Sequence, residues 1–297
     1  MHIILSRKGF DSSYGGSPSI ILPNNKMISF PIPVEAPEIG TASSDIKFEN
    51  INLTLEEIFQ KRGINNKIHI KKTIKNSTDF SYHLDPEIQN ITALRNNKYG
   101  TLGQRDAALG HILNKLNKAK ALMKSDFERA TGGTSFPVDI LFLFFGRFIK
   151  VDGKWANTGD QFHSVWGYLH ATKLFRISTS KNSISQDYEQ LKDHPHYKNA
   201  QNYASLNGIF VGEKYGTLNF TDNLLLTDTK KGSCISDWNI KPLGFINSMT
   251  YNAKAMATAK ASGNSSFRVA AKGQEFVVTD FDKTKMDDWL RKVKIDI

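Results

Sequence analysis

The sequence predicts an α+β protein whose central sheet is mixed and largely antiparallel, with a long amphipathic helix and a short C-terminal helix. Two long apolar stretches, VDILFLFFGRFIKV and SVWGYLHATKLFRIS, have the length and the Phe and Ile content of buried strands. One segment, over residues 102–125, repeats apolar positions every three or four residues, as an amphipathic helix does. Because strands and helices do not alternate regularly, a doubly wound parallel sheet is not expected.

The amino-terminal third is predicted to contain short strands and one short helix. Residues 3–6 form a first strand, and residues 20–22 and 27–32 form a hairpin around a Pro-Asn-Asn turn. Thr54 begins a helix, with Glu57 three residues later at the spacing of a capping box. The next glycine ends this helix.

The remaining elements are predicted from alternating apolar and polar residues and from glycines that interrupt the pattern. A pair of glycines precedes the strand over residues 138–151, and the strand over residues 164–178 contains Gly167, which marks a bulge or a close approach. NGIFVG and KGQEFVVTD are predicted as strands. A last helix, over residues 283–293, has its apolar side chains on one face.

Length and composition limit the classes of protein to which this chain can belong. The 297 residues allow one large domain or two smaller ones, and we expect one domain spanning residues 1–297. With 39% apolar residues and 19 Phe, the chain has too much hydrophobic mass for a disordered protein. The opening MHIIL is too short for a signal-peptide core and no apolar run approaches the roughly 20 residues of a membrane helix, so we expect a cytoplasmic protein without a membrane partner. The single cysteine, Cys234, excludes an internal disulfide, which suits a reducing compartment.

The charge balance points to anionic partners. A net charge of +10 attracts phosphate polyanions. A second interpretation is that the excess is diffuse, because the chain is rich in Lys, Asn and Ile, a bias that codon composition alone produces. Lysines are densest in KIHIKKTIK and on the long predicted helix. Few aromatic residues stand between them, so a base-stacking strip is not indicated.

LSRKGFDSSYGG, residues 5–16, combines the end of the first strand with positive charge, hydroxyls and glycine. Backbone amides and cations in such a loop can bind a phosphate, and a loop that follows a strand can lie at the sheet edge where ligands bind. The stretch lacks the spacing of a Walker loop and of a dinucleotide fingerprint. A phosphate would repel Asp11 unless that carboxylate holds a metal, a sugar hydroxyl or an arginine; the alternative is that it caps a turn. The candidate phosphate ligands here are Ser6, Arg7, Lys8, Ser12 and Ser13.

Several histidines occur in short polar motifs. His83 and Asp85 on an extended segment would point to the same side, so the carboxylate can orient the imidazole for acid–base work; the alternative is a turn held by the Asp-Pro pair. His194 and His196 could chelate a metal, but two ligands do not make a site and no Cys or His spacing completes one. No metal is therefore assigned. His163 stands among apolar neighbours, which is typical of a satisfied core histidine.

Two further polar motifs lie in a predicted helix and a predicted strand. Arg105, in LGQRDAALGHIL, stands at the start of the long helix, where exposed backbone amides favour an anion. Gln274 and Glu275 face opposite ways on a strand, so one of them points inward, and a buried Glu275 is a candidate for a raised pKa and a catalytic role. The alternative is that Glu275 forms a buried ion pair with an arginine such as Arg7 or Arg147.

Eight sequence motifs follow one another between residue 3 and about residue 280: SRKGFDSSYGGSPS, YHLDPEI, LGQRDAALGHI, DILFLFFGRF, FHSVWGYL, HPHY, NGIFV and KGQEFVVTD. Together they resemble the nucleotide modification associated domain family, type 3. The resemblance implies a context in systems that modify bases in DNA, notably in phages and bacterial defence loci, and it implies no particular reaction. The residues that match the polar motifs of the family are Ser6, Arg7, Lys8, Gly9, Asp11, Ser12, His83, Asp85, Gln274 and Glu275.

These observations predict an enzyme that acts on a nucleotide or on a base in DNA, with a cationic loop holding the phosphate and a carboxyl or imidazole moving a proton. No cofactor is assigned, and the expected partners are a nucleotide or nucleic acid and other proteins of a modification system. The candidate catalytic residues are Asp11, His83, Asp85 and Glu275, and the candidate nucleotide-binding residues are Ser6, Arg7, Lys8, Ser12, Ser13, Arg105 and Gln274.

Two alternatives stay open. One is a non-catalytic sensor of modified DNA, or an assembly subunit of a modification complex, which would bind in a salt-dependent way without turnover. The other is an NAD-dependent enzyme similar to ADP-ribosyltransferases, because Arg7, Ser178-Thr179-Ser180 and Glu275 loosely follow the arginine, Ser-Thr-Ser and glutamate order of those enzymes. Those enzymes commonly carry an acidic or amide residue two before the glutamate, where this chain has Gly273.

Overall fold

The fold is taken from a computed structural model of the chain. It describes residues 1–10, 15–34, 40–64, 67–70, 73–76, 81–91, 98–118, 122–179, 184–202, 206–230, 234–269 and 275–297, with the backbone alone at 67–70 and 73–76.

Strands predominate over helices in the described residues. The strands are β1 (His2–Arg7), β2 (Ser19–Ile21), β3 (Met27–Ile28), β4 (Ile32–Val34), β5 (Lys47–Phe48), β6 (Leu53–Thr54), β7 (Lys67–Ile70), β8 (Thr73–Asn76), β9 (Ser81–His83), β10 (Gly100–Arg105), β11 (Ser135–Val151), β12 (Asn157–Arg176), β13 (Asn207–Gly212), β14 (Lys214–Thr217), β15 (Asp237–Asn239), β16 (Ile246–Met249), β17 (Ser266–Arg268) and β18 (Glu275–Phe281). The helices are α1 (Leu55–Lys61), α2 (Asp106–Lys118), α3 (Lys124–Arg129), α4 (Pro195–Lys198), α5 (Ala253–Ala261) and α6 (Lys283–Val293), and short 3₁₀ segments lie at Gln186–Asp193, Ala200–Asn202, Asp222–Leu224 and Lys241–Leu243. None of these helices combines the length and the apolar character needed to cross a membrane.

The main sheet confirms the predicted α+β class. In the described part of the chain it has ten strands, with the order β10-β13-β12-β11-β1-β18-β16, while β14 pairs with β12 and the β2–β3 hairpin pairs with β11. The pairs β1–β11 and β2–β11 are parallel, and the other pairs of this sheet are antiparallel. The sheet is therefore mixed and largely antiparallel, as predicted.

The first strand lies inside this sheet, between β11 and β18. Its antiparallel register with β18 places Ser6 directly opposite Glu275, so both side chains lie on one face. Alternation along the strand turns Arg7 to the other face and returns Lys8, just beyond β1, to the face of Ser6. The Lys8 N–H donates to the Phe145 carbonyl at 2.9 Å, which continues the pairing with β11 by one residue.

The long helix predicted over residues 102–125 differs from the structure at both ends: α2 ends at Lys118, and Lys124 and Ser125 belong to α3. Residues 102–105, predicted as the start of the long helix, belong to β10, and the helix begins at Asp106. The prediction was wrong at the first end because Gly100 and Gly103 disfavour a helix and β13 pairs with every residue of β10. Arg105 therefore ends a strand. By contrast, the capping box at the start of α1 and the bounds of α6 agree with the prediction.

Within the described ranges, buried apolar side chains form three clusters. The largest combines β1, β11 and β12 with α2 and α6. The second lies among residues 10–91 and includes Ile149 from the end of β11, and the third lies under residues 184–202 and includes Ile209 of β13. Both smaller clusters thus attach a segment of short helices and strands to the main sheet, and each of these segments supplies a histidine to the site described next.

Candidate functional site

Glu275 is the centre of a buried polar cluster near the end of β1. Its Oε1 accepts hydrogen bonds from Ser6 Oγ at 3.5 Å and from Gln104 Nε2 at 3.1 Å. All three side chains are buried, with Glu275 only 4% exposed. Among the described residues its hydrogen-bond partners are therefore two neutral side chains rather than an arginine. We call Ser6, Lys8, Gln104 and Glu275 the Glu275 cluster.

Burial governs the ionisation of this carboxyl. It raises the pKa of Glu275 above its ordinary value of 4.5, because the carboxylate loses hydration. The positive charge of Lys8 and the hydrogen bonds from Gln104 and Ser6 oppose this shift, and the charge of Asp85 adds to it. Lys8 is itself buried. A carboxyl that holds its proton closer to neutral pH has the property expected of a general acid or base.

Curvature of the sheet brings the members of the Glu275 cluster together. Gln104 belongs to β10 at one end of the strand order, and Glu275 belongs to β18 near the other end. The 3.1 Å contact between them requires the sheet to curl until β10 approaches β1 and β18. The C-terminal ends of β1 and β10 and the N-terminal end of β18 consequently meet at one place.

The segment after β9 adds two carboxylates, those of Asp85 and Glu87, beside this cluster. Glu87 forms an antiparallel bridge with Thr101 of β10, and its carboxylate accepts a hydrogen bond from Thr101 Oγ1 at 3.0 Å. Two residues earlier, Asp85 Oδ1 accepts a hydrogen bond from the Gly103 N–H at 2.8 Å. Asp85 is buried and fixed against β10 by these contacts.

His196, on α4, packs its ring against the backbone of Gly103. A Cβ at position 103 would lie 2.2 Å from His196 Cδ2, so only glycine leaves room for the ring. His196 Nδ1 lies 2.8 Å from Asn207 Oδ1, and Asn207 Nδ2 donates to the His196 carbonyl at 2.9 Å. On the other side of the ring, His196 Nε2 lies 3.8 Å from Asp85 Oδ2.

His83 joins Asp85 and His196 in a set of three side chains that could hold a metal ion, which we call the histidine group. One ligand atom of each lies within 4.8 Å of the other two, and the rings of His83 and His196 stack with centroids 5.7 Å apart. Burial lowers the pKa of His83 to about 4, and it also lowers the pKa of His196, while the Asp85 carboxylate opposes both shifts. Both imidazoles are therefore neutral near physiological pH. His83 is the partly exposed member of the group.

Arg7 lies on the opposite face of β1 from the Glu275 cluster. Its guanidinium carbon is 5.5 Å from the centroid of the Phe145 ring. Arg147 lies on the same side, where its Nη2 donates to the Gly16 carbonyl at 2.5 Å. The structure thus separates Arg7 from Lys8, which the sequence analysis assigned to one phosphate cradle. Phosphate binding by Arg7 stays a prediction, and it would concern this second face.

His163, near these two arginines, has the partners of a core histidine. Its Nδ1 accepts a hydrogen bond from Trp238 Nε1 at 3.0 Å. Burial, followed by the charges of Arg7 and Arg147, lowers its pKa from 6.5 to about 3. Between these two pH values the unfolded chain binds a proton at this position and the folded protein does not. The stability contributed by the neutral ring is therefore complete above pH 6.5 and is lost as pH falls toward about 3.

We expect His163→Asn, which retains an acceptor for Trp238, to weaken the pH dependence of stability. The wild-type protein should lose about 1.4 kcal/mol of unfolding free energy per pH unit more than the variant as pH falls from 6.5. Urea unfolding of both proteins at a series of pH values measures this difference. Equal slopes would contradict the assignment of a neutral buried imidazole.

Several predicted site residues are brought together, and others are not. Arg105 is half exposed and lies 3.7 Å from Asp106 in an ion pair, and its charge acts on His83 and His196. The predicted residues that meet at the site are Ser6, Lys8, His83, Asp85 and Glu275. The predicted residues that lie outside the described part of the chain are Asp11, Ser12, Ser13 and Gln274.

Sequence analysis did not assign three residues of the site: Gln104, His196 and Asn207. The HPHY motif drew attention to His196, but no local sequence signal indicates that its ring approaches Asp85. An asparagine that opens a buried strand, as in NGIFVG, must satisfy its amide inside the protein, and this requirement was a usable signal for Asn207.

The ADP-ribosyltransferase-like alternative gains no support from the geometry. Arg7 and Glu275 lie on neighbouring strands, but Glu275 shares its face with Ser6 while Arg7 points to the other face. Ser178 and Thr179 follow the end of β12, and Ser180 lies outside the described residues. The alternative stays a prediction.

In the described part of the chain, the curled mixed sheet, the Glu275 cluster and the histidine group define an α+β protein with a buried polar site assembled from distant parts of the chain. The chain matches the family described as nucleotide modification associated domain 3 over residues 2–122 and 137–279, and it belongs to that family. No curated protein and no solved structure matches it. Membership connects the chain with nucleotide modification in general, and the matched ranges include all of the Glu275 cluster and the histidine group.

Proposed function

We propose that this protein binds a phosphorylated nucleotide, free or within DNA, beside the Glu275 cluster and modifies it. The observation that carries the proposal is the meeting of Ser6, Gln104 and Glu275, from three separate parts of the chain, around one buried carboxyl. Burying a carboxyl that has no cationic hydrogen-bond partner among the described residues lowers stability, so the arrangement is better explained by chemistry than by folding. The association of the family with nucleotide modification supports this choice of substrate class.

Glu275 is the residue proposed to move a proton. Ser6 and Gln104 both donate to its Oε1, so Oε2 is the oxygen left to face a substrate. The raised pKa of this carboxyl keeps the protonated and ionised forms closer in energy at neutral pH, as general acid–base catalysis requires. His83 and Asp85, also predicted as catalytic, lie in the adjacent histidine group.

Positive charge beside Glu275 is proposed to hold the phosphate. Lys8 is buried on the same face of β1, and its charge acts on Glu275, His83 and His196. Arg105, at the exposed end of β10, adds a guanidinium that can contact phosphate oxygens in pairs. The net charge of +10 supports attraction of a DNA substrate over longer distances. The proposed setting is the cytoplasm of a bacterium with a DNA modification or phage defence system.

Nucleoside mass spectrometry of DNA and of the free nucleotide pool tests the proposal. Cells that carry the wild-type gene should contain a nucleoside that is absent, or reduced, in cells without it. Cells that carry Glu275→Gln should resemble the cells without the gene, whereas Glu213→Gln, at an exposed glutamate outside the cluster, should resemble the wild type.

The same experiment separates an enzyme from a sensor. Unchanged nucleoside profiles with all three versions would contradict an enzymatic function. Salt-dependent DNA binding by the purified protein, combined with unchanged profiles, would favour the sensor or assembly-subunit alternative.

A further inference from the structure

The histidine group contains facing acceptor atoms that a cation would join. His196 Nε2 and Asp85 Oδ2 are 3.8 Å apart, which is too long for a hydrogen bond. Ligand atoms on one tetrahedral or octahedral ion lie about 3 to 3.5 Å apart, given bonds of about 2.1 Å. The two atoms therefore need to approach by only a few tenths of an ångström to share one ion.

Asn207 fixes which nitrogen of His196 carries the proton. Because the amide nitrogen of Asn207 donates to the His196 carbonyl, its oxygen is the atom that faces His196 Nδ1 and accepts a proton from it. This leaves the lone pair of His196 on Nε2, the atom that faces Asp85. A histidine that binds a metal through one nitrogen usually donates from the other to an oxygen of the protein, as this one does.

Asp85 is held in a complementary way. Its Oδ1 accepts the Gly103 N–H, and His194 Nε2 lies 3.8 Å from the same oxygen. His194 accepts the His196 N–H at its Nδ1, so its proton is on Nε2, and the nitrogen that faces Asp85 has no lone pair for a metal. The Gly103 N–H thus bonds to Oδ1, while Oδ2 faces the lone pair of His196.

His83 supplies the third ligand. Its Nε2 is buried and has no hydrogen-bond partner among the described residues, although buried polar atoms are ordinarily paired. A ligand atom of this side chain lies within 4.8 Å of those of Asp85 and His196. Near this position the charge of the Asp85 carboxylate opposes the positive charges of Lys8 and Arg105, which both act on His83.

We propose that His83, Asp85 and His196 bind a divalent first-row transition metal, zinc or iron(II), with the remaining coordination positions open to water or substrate. Two imidazoles and one carboxylate without a thiolate suit these ions better than magnesium or calcium, which prefer oxygen ligands alone. The proposal goes beyond the proposed function, because these three side chains can bind a metal whichever nucleotide is modified.

Metal analysis of the full chain tests this inference without any nucleotide. Protein stripped with a chelator and then exposed separately to Zn²⁺ and to Fe²⁺ under anaerobic conditions should retain about one ion per chain of at least one of them, measured by mass spectrometry after gel filtration. Asp85→Asn keeps an acceptor for Gly103 and should weaken metal affinity at least about 10-fold, and His83→Gln should do the same. His111→Gln, at a histidine bonded to Thr250 outside the group, should leave metal binding unchanged.

A second measurement covers variants that fail to fold. Co²⁺ added to the stripped wild-type protein should give a visible absorption spectrum and raise its thermal unfolding temperature, since the ion binds the folded chain. The inference is overturned if the folded wild-type protein retains neither zinc nor iron and does not respond to Co²⁺. It is also overturned if folded Asp85→Asn and His83→Gln proteins bind metal as tightly as the wild type. Failure of this test leaves the nucleoside experiment unaffected.

Discussion

Purified Glu275→Gln protein is expected to lose at least about 100-fold of its modifying activity while becoming more resistant to unfolding at mildly alkaline pH. The loss follows because an amide cannot transfer the proton. The gain follows because burial raises the pKa of the wild-type carboxyl. The stability that the protonated carboxyl contributes is therefore complete below pH 4.5 and is lost as pH rises through the raised pKa. Glutamine retains an oxygen for the hydrogen bonds from Ser6 and Gln104 and carries no charge.

Urea unfolding at mildly alkaline pH and near pH 4.5 measures the stability difference, which should shrink at the lower pH. Glu57→Gln in α1 is a control of opposite sign, because the backbone N–H of Thr54 holds the pKa of that carboxyl below its ordinary value. That variant should be the less stable one at alkaline pH. A Glu275→Gln protein that is destabilised at alkaline pH would indicate a structural carboxylate instead of a proton-transfer group.

Gly103→Ala is expected to disrupt the site and to destabilise the protein by about 1 to 3 kcal/mol. The added methyl group would lie 2.2 Å from the His196 ring, which Asn207 holds in place from the other side. Either the ring moves away from Asp85 or β10 moves away from α4. Chemical denaturation measures the stability, and metal retention reports the position of His196.

Gly110→Ala provides the matched control for this substitution. Position 110 is inside α2, and a Cβ there would meet, among the residues that the structure describes, only Leu206 Cδ1 at the ordinary contact distance of 3.4 Å. Alanine is preferred over glycine within a helix by about 0.5 to 1 kcal/mol, so this variant should be as stable as the wild type or more so. If Gly103→Ala behaved like Gly110→Ala, the packing of His196 on β10 would be wrong.

Elements with a strong local signal were predictable from the sequence. The apolar face of residues 283–293 and Asp282 before them define α6, and its bounds agree with the prediction. Thr54 and Glu57 form the expected capping box. Leu102, however, fits a helical period only by coincidence, because its strand is decided by pairing with β13, more than a hundred residues away.

The site was predictable only where its residues are close in sequence. His83 and Asp85 are two residues apart, and their shared side follows from an extended backbone. The contact of Ser6 with Glu275 depends on the register of β1 with β18, and the contact of Glu275 with Gln104 depends on the curvature of the whole sheet. The approach of His196 to Asp85 depends on packing of residues 184–202, for which the sequence carries no local signal.

The most direct test of the central claim is a crystal structure of the protein soaked with each of the four 2′-deoxynucleoside 5′-monophosphates and with a short single-stranded DNA. We predict density for a nucleotide whose phosphate contacts Lys8 and whose base or sugar lies against the Glu275 carboxyl. A nucleotide bound elsewhere, with the contacts of Ser6 and Gln104 to Glu275 unchanged and the cluster closed to it, would contradict the account.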